Sequence, residues 1–167
     1  MSHGATGTKE DFYGPAEAFA DSGWRAIAYD ARSAGTREAD LDAAVRFARA
    51  SGARDVVLMG GSLGASLSIA SAERVGASAV VALSPATDAF DAAAAAGALG
   101  ASGIPLLVIA AEADEPFATD ARTIAERAGV DPVIVSGDRH GTGVFVDHPD
   151  LIGDVVAFCR RAVSAAS

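Results

Sequence analysis

Residues 55–75 read DVVLMGGSLGASLSIASAERV, and the rhythm of the chain changes at their centre. The first five residues are a short, mostly β-branched and aliphatic run, as expected of a strand buried on both faces. The last eleven, from Ala65, have the composition of a helix. Between them lies Gly60-Gly61-Ser62-Leu63-Gly64, which matches G-x-S-x-G with Gly60, Ser62 and Gly64. A serine on so tight a strand-to-helix turn is pushed above the carboxyl edge of the sheet, and the glycines leave room for backbones that a side chain would block. The helix that follows aims its N-terminus at the serine and favours negative charge there. Ser62 is therefore a candidate nucleophile; the plainer alternative is a serine that caps the helix.

Outward from this unit, the same alternation runs through the chain. Strand-like runs occur at 24–29, 55–59, 79–83, 105–110 and 132–135, with helical patterns at about 11–22, 38–51, 63–75, 88–100, 117–128 and 149–164. Leu41, Ala44, Val45 and Ala48 share one face of the second helix. Gly23, Gly52, Gly76 and Gly129 follow helices where a left-handed cap residue is wanted. This alternation predicts an α/β fold with a mainly parallel sheet flanked by helices. Its length of 167 residues suits one domain, 1–167, with half of its residues hydrophobic.

Composition narrows the function. A formal charge of −9 repels phosphate backbones, so nucleic-acid binding is not expected. Lys9 is the single lysine, which makes Schiff-base chemistry improbable. Cys159 is the single cysteine, so no internal disulfide or zinc-thiolate cluster can form, and its apolar helical surroundings suggest a buried small hydrophobe. No metal or cofactor site is expected, and neither G-x-G-x-x-G nor a Walker motif follows a strand. No apolar run is long enough for a membrane span and no signal peptide is visible, so a cytoplasmic protein is the default expectation.

A serine nucleophile needs a base to take its proton and an acid to orient that base. The run PLLVIAAEADE ends in Asp114, just beyond the carboxyl end of a strand and so on the same rim as Ser62. Asp114 is preferred over Glu112, which lies nearer the strand body, and over Asp88 after the preceding strand. Of three histidines, His140 lies after the last strand in SGDRHGTG, where glycines suit a loop that swings an imidazole over the sheet edge. His148 precedes Pro149 at a helix start.

Together with the opening His3-Gly4-Ala5-Thr6-Gly7 and the turn Asp30-Ala31-Arg32, these motifs resemble the α/β-hydrolase superfamily, in particular compact esterases and lysophospholipase-like hydrolases without a cap. The resemblance implies Ser62, Asp114 and His140 as a triad and the N–H groups of Ala5 and Leu63 as oxyanion donors. It also implies a strand directly before the H-G loop. Only Met1 and Ser2 precede His3, so an N-terminally truncated sheet is expected. No long insertion separates Ser84 from Pro105, so no cap domain is expected and the site should be open to a small-molecule acyl substrate. Phe12, Tyr13 and Trp24 are expected in the core. The leading expectation is hydrolysis of small or flexible carboxylic esters. The alternatives are a triad acting on another acyl bond, such as a thioester, peptide or peracid, and a non-catalytic hydrolase-like binding domain.

Overall fold

A computed structural model describes residues 1–165. Four parallel strands form the sheet: β1 (Val57–Gly61), β2 (Ala79–Leu83), β3 (Leu106–Ala111) and β4 (Val133–Val135), in the spatial order β1-β2-β3-β4. Val57 pairs with Ala79, Val80 with Leu106 and Ile109 with Val133. Parallel neighbours require long crossovers. These are α3 (Leu63–Val75), α4 (Ala92–Ser102) and α5 (Phe117–Ala128). The left-handed caps expected at Gly76 and Gly129 end α3 and α5.

Each strand sends alternate side chains to opposite faces, and both faces are covered. Leu58, Val80, Ala82, Val108 and Ala110 pack with α3, α4, α5 and with α2 (Arg37–Ala50). Met59, Val81, Leu83, Ile109 and Ala111 pack with α1 (Tyr13–Asp21), α6 (Val144–Asp147) and α7 (Leu151–Ala165). Cys159 is fully buried in this second layer, and burial pushes its thiol up to about 12. Between β2 and β3 the chain forms one short 3-10 turn and α4, which packs into the helix layer, so no cap is inserted there. No helix among the described residues is long and apolar enough to cross a membrane.

Two expectations need correction. Residues 24–29 do not form a strand of the sheet; within them only Tyr29 makes a bridge, to Ser2, and Ser2 in turn bridges Gly60. The apolar run is present, but a ladder needs a partner along its length. Among the described residues the backbone contacts to this run from a neighbouring strand position come from Met1, whose amine donates to Ile27 O at 2.7 Å, and from Ser2. The second correction is Tyr13, which is 55% exposed. Phe12 is buried as expected, and Trp24 is half-buried with its ring edge-to-face with Phe19 at 5.8 Å.

Candidate active site

β1 ends at Gly61 and α3 begins at Leu63, so Ser62 alone makes the turn. It does so at φ 54°, ψ −122°, in the region that side chains disfavour, at a strain of about 1–3 kcal/mol. The surroundings impose this conformation. Ser62 N–H donates to Leu83 O at 2.8 Å, and its own carbonyl accepts from Ala65 and Ser66 at the start of α3. A Cβ on Gly60 would meet Gly64 O at 2.1 Å, and one on Gly64 would meet Ser2 O at 2.1 Å. Both motif glycines are thus required by backbone that passes where a side chain would be. Ser62 Oγ takes part in no hydrogen bond among the described residues.

Asp114 follows β3 and is only 8% exposed, while Glu112 and Glu115 are exposed. The carboxylate of Asp114 meets His140 Nδ1 at 2.9 and 3.1 Å. An ionised carboxylate only accepts, so Nδ1 carries the proton and Nε2 is left as the basic nitrogen. Two groups hold the His140 loop in place. The N–H of Gly141 donates to the buried Oγ of Ser84 at 3.0 Å, and the Phe117 ring lies 4.2 Å from the imidazole, centroid to centroid. Ser84 directly follows β2, the strand between the two that lead to Ser62 and Asp114, and itself has φ 50°. His148 is engaged elsewhere, donating from Nε2 to Ser136 O at 2.8 Å.

The H-G loop is fastened by His3 and Arg37. His3 is buried and its Nε2 accepts from Ala31 N–H at 2.9 Å. Its Nδ1 therefore donates to Gly4 O, 2.7 Å away. This gives the Asp30-Ala31-Arg32 turn a purpose, since its backbone holds His3. Lys9 pins the same turn through Asp30, whose carboxyl the lysine holds below the usual range. Arg37, at the start of α2 and 5% exposed, donates to His3 O and Gly4 O at 3.0 Å each, and to Ala5 O at 3.4 Å. With its carbonyls drawn to one side by a guanidinium, the loop lies against the serine turn: a Cβ on Gly4 would be 3.3 Å from that of Ser62. The N–H groups of Ala5 and Leu63 take part in no backbone hydrogen bond among the described residues.

A cleft of about 710 Å³, counting its open mouth, joins these pieces. Ser62, His140, Ala5, Thr142 and Asp11 all line it. Of the expected residues, Ser62, His140 and Ala5 thus share one cleft, Asp114 stands behind His140, and Leu63 follows Ser62 directly. Arg37, Ser84 and Phe117 were not singled out from the sequence. Arg37 sits in Arg37-Glu-Ala-Asp40 and has the look of a solvated helix start. Nothing local in Leu83-Ser84-Pro85 announces a buried acceptor. Among the described residues no three His, Cys, Asp or Glu side chains gather as metal ligands.

No family profile and no curated protein sequence matches the chain. Solved structures do match it. A candidate hydrolase of the alpha/beta superfamily from Xanthomonas campestris pv. campestris is 21% identical, with a TM-score of 0.72 over 98% of this chain and 96% of its own. The esterase domain of a Rhodothermus marinus protein is 17% identical, with a TM-score of 0.76 over 96% of this chain and 85% of its own. An esterase from Pyrococcus furiosus is 18% identical, with a TM-score of 0.74 over 96% and 80%.

Proposed function

The chain has the α/β-hydrolase fold, and from that premise we propose that it is a serine hydrolase of small or flexible carboxylic esters, acting through an acyl-enzyme on Ser62. The observation that carries the reading is the pair His140 Nδ1 and Asp114, joined at 2.9 Å with the carboxylate buried, in the cleft that Ser62 also lines. Such a pair fixes the imidazole tautomer and stabilises the imidazolium that forms when Nε2 takes a proton.

In the proposed reaction Ser62 Oγ attacks the ester carbonyl as its proton passes to His140 Nε2. The carbonyl oxygen becomes an oxyanion, which the N–H groups of Ala5 and Leu63 hold. Each such donor is worth about a hundredfold or more in rate. The intermediate collapses by breaking the bond to the alcohol, which leaves with the proton from His140. Water then attacks the acyl-enzyme by the same route, and the acid is released. Ser62 and His140 are not hydrogen-bonded in the free chain, in keeping with catalytic contacts that tighten only when substrate arrives. The absence of a cap supports an open site with weak discrimination by shape. Asp11 on the cleft wall disfavours acyl groups that carry a negative charge.

Fluorophosphonate labelling with the adduct located by mass spectrometry tests this. The adduct is expected on Ser62, absent in Ser62→Ala and slow to form in His140→Ala. A folded chain that neither labels nor hydrolyses p-nitrophenyl acetate would refute it.

A further inference from the structure

The walls of the cleft that Ser62 and His140 share carry one carboxylate and no lysine or arginine among the described residues. That carboxylate is Asp11, the third residue of the 3-10 turn Lys9–Phe12, and its Oδ2 accepts from Thr8 N–H at 3.2 Å. This contact accounts for one oxygen. Oδ1 takes part in no hydrogen bond or ion pair among the described residues. The cations around the H-G loop are engaged elsewhere, Lys9 with Asp30 and Arg37 with the carbonyls of residues 3–5.

Gly7 keeps the carboxylate open to the cleft. A Cβ there would come within 2.1 Å of Asp11 Oδ2 and 3.4 Å of Gly4 N, yet Gly7 does not have a positive φ. Glycine is therefore called for by the space between Asp11 and the H-G loop, and not by a turn. The cleft has two walls that meet at the serine turn. On one, a Cβ on Gly4 would be 3.3 Å from that of Ser62, and the H-G loop leads from there to Asp11. On the other, a Cβ on Gly61 would be 3.6 Å from Thr142 N and 3.8 Å from Gly141 Cα.

These two walls assign the two ends of an ester. In the proposed reaction His140 returns its proton to the alcohol oxygen, so the alcohol lies toward Gly141 and Thr142. The N–H groups of Ala5 and Leu63 take the carbonyl oxygen. The acyl chain is left the path along the H-G loop, past Gly7 to Asp11. We propose that Asp11 selects esters whose acyl chain ends in a cation, an ammonium or trimethylammonium group a few carbons from the carbonyl. This rests on the esterase reading above and names its substrate class. Hydrolysis breaks the acyl–oxygen bond of such an ester, and water supplies a hydroxyl to the cationic acid and a hydrogen to the alcohol. The carboxylate attracts the cation in the ground state and the transition state alike, so its effect falls on KM and not on kcat. The net charge of −9 adds a wider field that draws cations toward the chain.

Two p-nitrophenyl esters of matching shape separate charge from fit: the 4-(trimethylammonio)butyrate, and the 5,5-dimethylhexanoate in which carbon replaces the nitrogen. Their kcat/KM ratio, divided by the ratio of their hydroxide-catalysed rates, is expected to favour the cation about three- to fivefold, as for an exposed ion pair. The preference should lie in KM and fall toward unity in about 1 M sodium chloride, where screening acts within about 3 Å. It should vanish in Asp11→Asn, whose amide oxygen can still accept from Thr8 N–H. Glu10→Gln removes a neighbouring carboxylate that does not line the cleft and should keep the preference. The salt titration uses the unmodified chain, so it stands if Asp11→Asn fails to fold. Turnover of both esters without preference for the cation overturns the inference and leaves the esterase reading in place. So does a preference that salt does not weaken, that Asp11→Asn retains, or that Glu10→Gln abolishes. A folded chain that hydrolyses neither ester and takes no fluorophosphonate label overturns both.

Discussion

Replacing Arg37 by methionine should damage catalysis from a position outside the reaction cleft. The guanidinium makes two 3.0 Å hydrogen bonds, to His3 O and Gly4 O, and a longer one to Ala5 O. Hydrogen bonds from a charged donor contribute about 1.5–3 kcal/mol each, so the two short ones sum to roughly 3–6 kcal/mol. Against this stands the desolvation of a buried charge whose Nε has no partner, which the variant recovers in part. Methionine also keeps much of the packing of the arginine stem. The net loss of stability is then about 2–3 kcal/mol, measurable as a lower urea midpoint. The effect on rate is distinct. On the proposed mechanism, the Ala5 N–H is no longer aimed at the developing oxyanion once the carbonyls of residues 3–5 are released. Loss of one such donor lowers kcat by about a hundredfold, or roughly 2.7 kcal/mol. With p-nitrophenyl acetate, kcat should fall by that factor while KM changes little, because the donor acts in the transition state. Arg37→Lys should fall between, since an ammonium cannot span carbonyls as a planar fork does. A variant that loses stability yet keeps the kcat of the parent would refute the link between Arg37 and the oxyanion loop.

Asp114→Asn should fold normally yet lose about ten-thousandfold in kcat, because the amide favours the wrong imidazole tautomer; the fluorophosphonate labelling rate of Ser62 should fall with it. Unchanged labelling would remove Asp114 from the site. Gly64→Ala forces a Cβ to within 2.1 Å of Ser2 O and should cost about 2 kcal/mol or more, with loss of activity as the H-G loop is displaced; urea unfolding and ester hydrolysis together read this.

The parts of this molecule that follow from short-range chemistry are legible in its sequence. The apolar runs from Asp55 to Val135 become β1 to β4 because each is flanked by helices with an apolar stripe, and α5 spans Phe117–Ala128, where the pattern places it. Asp114 stands beyond the strand end, as its place in the sequence indicates, and its carboxylate meets His140 Nδ1 at 2.9 Å. The site residues that were not legible act across the chain. Arg37 reaches back 34 residues to His3, and Ser84 reaches forward 57 to Gly141. Neither residue has a local pattern that distinguishes it from a solvated arginine or a loop serine. Residues 24–29 mislead for a related reason: their β-like composition is real, but strand formation depends on a neighbour that no local reading supplies.

The strand order β1-β2-β3-β4 also has a consequence for biosynthesis. Each new strand can lay itself beside the one made just before it, so the stretch from residue 57 to 135 can assemble progressively as it leaves the ribosome. The H-G loop before them cannot. Ser2 finds its partners only when Met59 and Gly61 exist, and the loop that Arg37 clamps must wait for them. The wall of the cleft formed by residues 3–7 is therefore made before the sheet and settled after it, behind strands joined by local crossovers. A stalled nascent chain ending before residue 57 would present an H-G loop with no serine turn to rest against, and the cleft that Ser62 and His140 line would be assembled only after the sheet is complete.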